Sequence, residues 1–429
     1  MPHLRQSWRL EKRHFLDRSA PPLFWPVHHL FQPLLSLFWP LFPLQHSSFP
    51  EFRAACPSTP SVAKQPSHAL PLFLVALLSS CGGSSTSPSA PPVSTPAPSS
   101  ASGPTSLNMA LRSQLNLAAL GASAGSGNWG YTAPNGRRFA LVGTSVGLSV
   151  VDVTNPASAR LTGTIVGGSS AWREVKTYRE YAYVTTEAQT GLDIVDLRDP
   201  DRPVKVRTWS ETFASAHSLW IDEDTGLLYA NGTQSGMHVL DLRADPTNPR
   251  EVGRFTDFYV HDCYTRGNRL YAAAIRNGFL ATLDVTRPDA IREISRFSTG
   301  GTFTHNAWLT RAGRYLFTTD ERAGSPLEGW DLVANPPSRV STYIGAPGTI
   351  PHNVMIDGDR LVVSHYTEGV HMLDVRDPER PRLMGYYDTY PGSSSGFNGA
   401  WGAYIFPGSN LIVVDDINGG LFVVEYTGS

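Results

Sequence analysis

The sequence is short of cysteine, lysine and uninterrupted apolar runs, and each shortage removes a class of protein. Of three cysteines in 429 residues, Cys56 and Cys81 lie near the N-terminus and Cys263 stands alone beyond them. No internal disulfide is possible in the C-terminal part, and no cysteine-rich metal module can form there. The four lysines are Lys12, Lys64, Lys176 and Lys205, and none follows a glycine, so a phosphate loop ending in Gly-Lys-Ser/Thr is absent. From Cys81 onward 28 Lys and Arg face 34 Asp and Glu. That acidic balance argues against a nucleic-acid partner. The apolar stretch "FWPVHHLFQPLLSLFWPLFPLQ" carries prolines at 26, 33, 40 and 43, which would break a spanning helix. What the chain has instead is turn-formers, 38 Gly and 34 Pro.

Three N-terminal segments differ in kind. Residues 1–61 read as an over-extended start, with Val62 as a possible GTG initiator. Residues 62–81, "VAKQPSHALPLFLVALLSSC", place one Lys, an apolar run from Leu70 to Leu78 and then small residues before Cys81, the order of a secretory signal. Leu78-Ser79-Ser80-Cys81 resembles a bacterial lipobox, which implies cleavage before Cys81 and a lipid on it. The expectation is a protein of the cell envelope or cell exterior, anchored to a membrane rather than spanning it. Residues 82–108 carry no charge and nothing large to bury, so they read as a tether of Ser, Pro and Gly.

Residues 109–429 repeat. "GLSVVDVTNP", "GLDIVDLRDP", "GMHVLDLRADPTNP", "GFLATLDVTRP", "GWDLVANPP", "GVHMLDVRDPERP" and "GLFVVEY" align on Asp152, Asp196, Asp241, Asp284, Asp331, Asp374 and Glu425. Successive spacings of 44, 45, 43, 47, 43 and 51 residues match a four-stranded propeller blade. A β-rich run such as "EYAYVTT" or "DRLVVSH" precedes each glycine. Each aspartate stands where the strand must stop, so its carboxylate is expected to accept turn N–H groups. The fold class is therefore all-β, a seven-bladed β-propeller. The last unit stops after its third strand, and "SLNMALRSQLNLAALG" (106–121) is expected to supply the fourth and close the ring.

The G-L-x-[IV]-[VL]-D-[VL]-x-[DN]-P units resemble LVIVD repeats. The phrases "WREVKTY", "YVHD", "THNAWL", "PHNVMIDGDRLVVSHYTEGVHMLDV", "YYDTYPG" and "FNGAWGAYIFPGSNLIVVDDINGGLFV" are similar to choice-of-anchor B proteins over about residues 110–426. The resemblance implies a propeller and surface anchoring more than any chemistry.

Aligning the start of each unit puts Trp129, Trp172, His217, His261, His305, His352 and Trp401 at one position, which first strands would arrange as a circle around the channel. Two readings stand. His217, His261, His305 and His352 could be ligands of a transition metal such as Zn, Cu or Fe, as in a metal-dependent oxidoreductase. Alternatively each His bonds the backbone of a neighbouring blade and Trp fills the wider gaps. The residues that follow, Arg173, Ser218, Asp262, Asn306 and Asn353, are polar, and strand alternation would turn them away from the His ring. Glu187, Asp320, Glu321 and His365 end second strands, where loops gather on one face and could take a cation or polar ligand. Trp129, Trp172, Trp401 and these polar residues are the candidate ligand contacts. "DEDTG" and "DDING" lack the full spacing of a calcium loop and read as hairpin turns. The functional expectation is a binding module for a small ligand, a cell-envelope component or a protein, with the metal enzyme as the alternative.

Overall fold

A computed structural model describes residues 105–392 and 395–428. The expectations for residues 1–61, for 62–81 with Cys81, and for the tether as far as residue 104 lie outside the described residues. Among the described residues the regular elements are strands, apart from the single 3-10 turns Pro156–Ser158 and Pro288–Ala290. No helix there is long and apolar enough to cross a membrane.

The strands form seven antiparallel sheets, the blades of a β-propeller. In blade 1 they are Gly125–Thr132, Arg138–Thr144, Gly147–Asp152 and Arg160–Val166, paired in that order. The first strands of blades 2 to 7 are Val175–Tyr178, Ser218–Asp222, Asp262–Arg266, Thr304–Leu309, Val354–Asp357 and Ala400–Ile405. First strands of adjacent blades pack on one another all the way round, and Ala400–Ile405 returns to Gly125–Thr132. They therefore line the axis.

Burial explains the pattern along each blade. Third strands such as Gly147–Asp152 are covered by blades on both faces and read as continuous apolar runs, with Leu148, Val150 and Val151 no more than 1% exposed. Fourth strands are more exposed: Arg292–Ser298 carries Arg292, Glu293 and Arg296, and Arg160–Val166 opens on exposed Arg160, charges that discourage edge pairing. Third strands end at their aspartates. Oδ1 of Asp152, Asp196, Asp241, Asp284, Asp331 and Asp374 each accepts the backbone N–H two residues on, at 2.9–3.0 Å. Glu425 departs from this and pairs with Arg112 at 2.6 Å.

The N-terminal strand closes the ring. Met109–Leu115 pairs with Gly420–Tyr426, setting Ala110 opposite Glu425 and Leu115 opposite Leu421. Met109 and Leu115 are buried against the last blade's core. The tether expected through residue 108 is already a strand at Ser106–Leu107, which pairs with Arg382–Tyr387 and gives blade 6 a fifth strand. The letters "GSGNWG" at 125–130 fit a dinucleotide-loop spelling, but they lie in a bulged strand with no helix after it. They carry no phosphate site.

Candidate functional site

Side chains reach the axis at three levels, set by where strand pairing begins. Ser218 and Asp262 open their strands, so His217 and His261 stand one residue outside the ladder. His352 likewise precedes Val354–Asp357, and His305 lies at a register shift between Thr304 and Asn306. Strict alternation therefore does not govern the histidines, and Asp262, Asn306 and Asn353 after them also line the channel, while Ser218 bonds the His261 carbonyl. That departs from the expectation that Asp262, Asn306 and Asn353 turn away. Alternation holds from there on, so the residue two further along, as in Trp220, Tyr264 and Trp308, lines the channel again.

At the first level, His217, His261, His305, His352 and Trp401 follow one another as an arc with ring centroids 4.3, 4.5, 4.1 and 4.8 Å apart. Trp129 and Trp172 do not join it. The bulge between Gly125 and Asn128 moves blade 1 by more than a residue, and Ser126 Oγ there receives the N–H of Arg173 at 2.7 Å. Arg173 is buried, and its Nε donates to the Thr144 carbonyl at 2.7 Å. Burial lowers its pKa. Trp172 is 44% exposed on the surface.

Loops after second strands fold over the arc. Glu187 Oε1 meets His217 Nδ1 at 2.6 Å. Burial opposes charge on His217, but this carboxylate outweighs it and the pKa is raised. Tyr366 donates its hydroxyl to Glu321 Oε1 at 2.6 Å. His352 Nε2 lies 3.5 Å from that oxygen and His305 Nε2 3.9 Å from Glu321 Oε2. His261, His305 and Glu321 each offer a ligand atom within 4.8 Å of the others. Burial, then neighbouring imidazoles, hold His261 and His305 well below the usual histidine range, and burial brings His352 to about 3. Burial raises the Glu321 carboxyl, against the Tyr366 hydrogen bond. These last three imidazoles are thus uncharged near neutral pH, the state in which they can ligate a metal.

The arc also joins blades. His352 Nδ1 donates to the Trp401 carbonyl at 2.5 Å. Hydroxyls of the preceding blade reach the ring carbonyls: Thr185 to His217, Ser218 to His261, Thr319 to His352 and Ser364 to Trp401, at 3.3, 2.7, 2.5 and 2.8 Å. Asp320 faces elsewhere. It accepts Thr299 Oγ1 and the N–H groups of Gly301 and Phe303, fixing the loop into blade 5. His365 stacks on His371 at 5.1 Å instead.

The second level is polar and narrow, a cavity of about 40 Å³ lined by Asn128, Glu174, Asp262, Asn306 and Asn353 among others. Asn306 Nδ2 donates to Asp262 Oδ2 at 2.6 Å, and the Trp401 indole donates to Glu174 Oε1 at 3.2 Å. Burial, then the Glu174 charge, pushes Asp262 up to about 6. Asp415 beside them is fully buried, neither of its oxygens makes a hydrogen bond of good geometry, and burial raises it as well.

The third level is aromatic, and the sequence reading missed it apart from Trp129. Trp129, Trp220, Trp308, Tyr264 and Tyr404 pack edge-on and tilted with centroids 4.8–6.2 Å apart. Lys176 Nζ sits 4.5 Å from the Trp129 ring. This cluster floors a cavity of about 870 Å³ at the far mouth of the channel. Arg138, Arg179, Arg266, Asp222, Glu223 and Asp224 rim it. Arg266 is held there by bonds to the Thr310 carbonyl and the Tyr264 hydroxyl, both at 2.7 Å. The three indoles are half-buried, so part of each faces the cavity. A signal was available: Trp220 and Trp308 each stand three residues after a ring histidine, in "HSLW" and "HNAW".

The LVIVD repeat family model matches residues 138–166 and 170–209, which lie in blades 1 and 2. No curated protein matches the sequence. Among solved structures, a candidate 6-phosphogluconolactonase from Bacteroides uniformis is similar at 13% identity, with a TM-score of 0.46 over 59% of this chain and 84% of that one. At that level nothing about activity transfers.

Proposed function

We propose that this protein is a binding module displayed at the cell envelope, a propeller that takes a polar, ring-bearing ligand of the saccharide class in its aromatic mouth. The observation that carries this is the 870 Å³ cavity floored by three half-buried tryptophans and rimmed by both Arg and Asp/Glu side chains. An aromatic floor offers flat apolar contact to one face of a sugar ring, while the rim supplies donors and acceptors to its hydroxyls. LVIVD repeats and the propeller support a binding role. The choice-of-anchor B resemblance, the lipobox ending at Cys81 and the uncharged stretch after it support display on a lipid anchor, with a cell-envelope component as ligand.

Two experiments test the two halves. Titration of the protein with soluble cell-envelope saccharides, followed by tryptophan fluorescence, should give a saturable change. Trp308→Ala should weaken it about tenfold, corresponding to about 1.4 kcal/mol. Fluorescence unmoved by every saccharide would contradict the ligand class. For the anchor, Cys81→Ala should move the protein from the membrane fraction to the soluble one; unchanged fractionation would contradict lipidation.

A further inference from the structure

The histidine end of the channel takes no part in the aromatic mouth, and its chemistry is of another kind. A carbonyl oxygen can only accept, so the 2.5 Å contact between His352 Nδ1 and the Trp401 carbonyl places the proton on Nδ1. Neutral His352 then turns the lone pair of Nε2 toward Glu321 Oε1, 3.5 Å away. His261 and His305 resemble it in orientation only. Each faces the backbone of the next ring member, though its Nδ1 makes no hydrogen bond of good geometry. His305 Nε2 approaches Glu321 Oε2 at 3.9 Å. His352 Nε2 and the Glu321 oxygens thus meet as acceptors in a site where His261, His305 and His352 are 7%, 3% and 1% exposed, and the Tyr366 hydroxyl supplies one donor. Buried acceptors facing one another are costly unless something positive lies between them.

We propose that His261, His305 and Glu321 hold one divalent transition-metal ion of the zinc class, with His352 Nε2 as fourth donor. A nitrogen-rich set with a single carboxylate suits zinc and its neighbours and not calcium or magnesium, which want oxygen. Donors around a tetrahedral ion at about 2.1 Å stand roughly 3.4 Å apart. The donors of His261, His305 and Glu321 now lie within 4.8 Å of one another, and binding would draw them together by side-chain rotation, Glu321 sitting on a loop just beyond its strand. The Tyr366 hydroxyl and the Trp401 carbonyl orient ligands from behind, as outer partners do in metal sites. The ion would bridge blades 4, 5 and 6 across the axis and add to stability through binding.

The test uses the full chain without a polyhistidine tag, stripped with chelator and reloaded with Zn²⁺ or Co²⁺. Elemental mass spectrometry should find about one equivalent per chain, and the cobalt form should show the intense visible bands of tetrahedral coordination. Glu321→Gln, which keeps the side-chain volume, should weaken binding tenfold or more, and His305→Ala should abolish it. His371→Gln, at a buried histidine outside the cluster, should leave it intact. Failure to bind either ion overturns the proposal. So does an equivalent that survives Glu321→Gln, which would show that the Glu321 carboxylate is not a ligand. Should His305→Ala fail to fold, Glu321→Gln decides alone.

Discussion

Single residues show how much of the repeat is turn chemistry and how little is charge. The repeating aspartates sit beside arginines, as in Asp241–Arg243 at 2.6 Å, yet apart from Arg137 beside Asp152 those arginine side chains are largely exposed. Exposed pairs contribute little. The bond from Asp241 Oδ1 to the Arg243 N–H at 2.9 Å is the part that shapes the chain. Asp241→Asn keeps that acceptor and should leave the melting temperature nearly unchanged, whereas Asp241→Ala should cost about 1 kcal/mol. Equal losses in thermal unfolding of the two variants would show that charge matters instead. These aspartates were legible from their spacing alone. The carboxylate Glu321 was legible only as one of several loop acids, because its approach to His305 and His352 depends on how the loop after Asp320 folds over the axis.

A second prediction at this scale concerns acid. His371 is buried, donates to or accepts from the Tyr343 hydroxyl at 2.9 Å, and stacks on His365. Burial, then His365, lowers its pKa to about 3. An unfolded histidine titrates near 6.5. The folded state therefore refuses a proton that the unfolded state takes, so this contribution is whole above pH 6.5 and is lost as pH falls toward 3. The slope is up to about 1.4 kcal/mol per pH unit. Thermal unfolding at pH 7.5, 6 and 5 should show His371→Phe losing less stability on acidification than the unaltered protein. Parallel curves would contradict the assignment.

At the scale of elements, closure and close approach fix the blades. The strand Met109–Leu115 covers the outer edge of Gly420–Tyr426. Truncation to residue 117 should lower the melting temperature and produce aggregates in size-exclusion chromatography, while truncation to residue 105 should do neither. Identical behaviour of the two would mean that the strand is dispensable. The fourth strands of blades 1 and 3 carry a glycine where the next blade presses in. A Cβ on Gly253 would lie 1.7 Å from the Pro288 carbonyl oxygen, and one on Gly163 would lie 2.7 Å from the Pro203 ring. Gly253→Ala should cost about 1–3 kcal/mol, read as a fall in melting temperature.

Blade number, strand order and the closing strand could be read because turn signals recur with a propeller period. Register at the axis could be read only in part. In blades 3 to 7 the ring residue stays within two residues of the strand start, but the Gly125–Asn128 bulge and the short first strand of blade 2 shift Trp129 and Trp172 off the ring. A bulge leaves no mark in a sequence whose glycines have several other uses.

For the whole molecule, the channel divides into a histidine and carboxylate end, a tight polar waist of about 40 Å³, and an aromatic mouth of about 870 Å³. The waist is too narrow for an organic ligand to pass, so the two ends should act separately. The most direct test of the central claim is a tryptophan-fluorescence titration with cell-envelope saccharides on the unaltered protein, Trp308→Ala and Glu321→Gln side by side. Saturable binding is expected, weakened about tenfold by Trp308→Ala and unchanged by Glu321→Gln. No binding by the unaltered protein, or binding that falls with Glu321→Gln and not with Trp308→Ala, would contradict it.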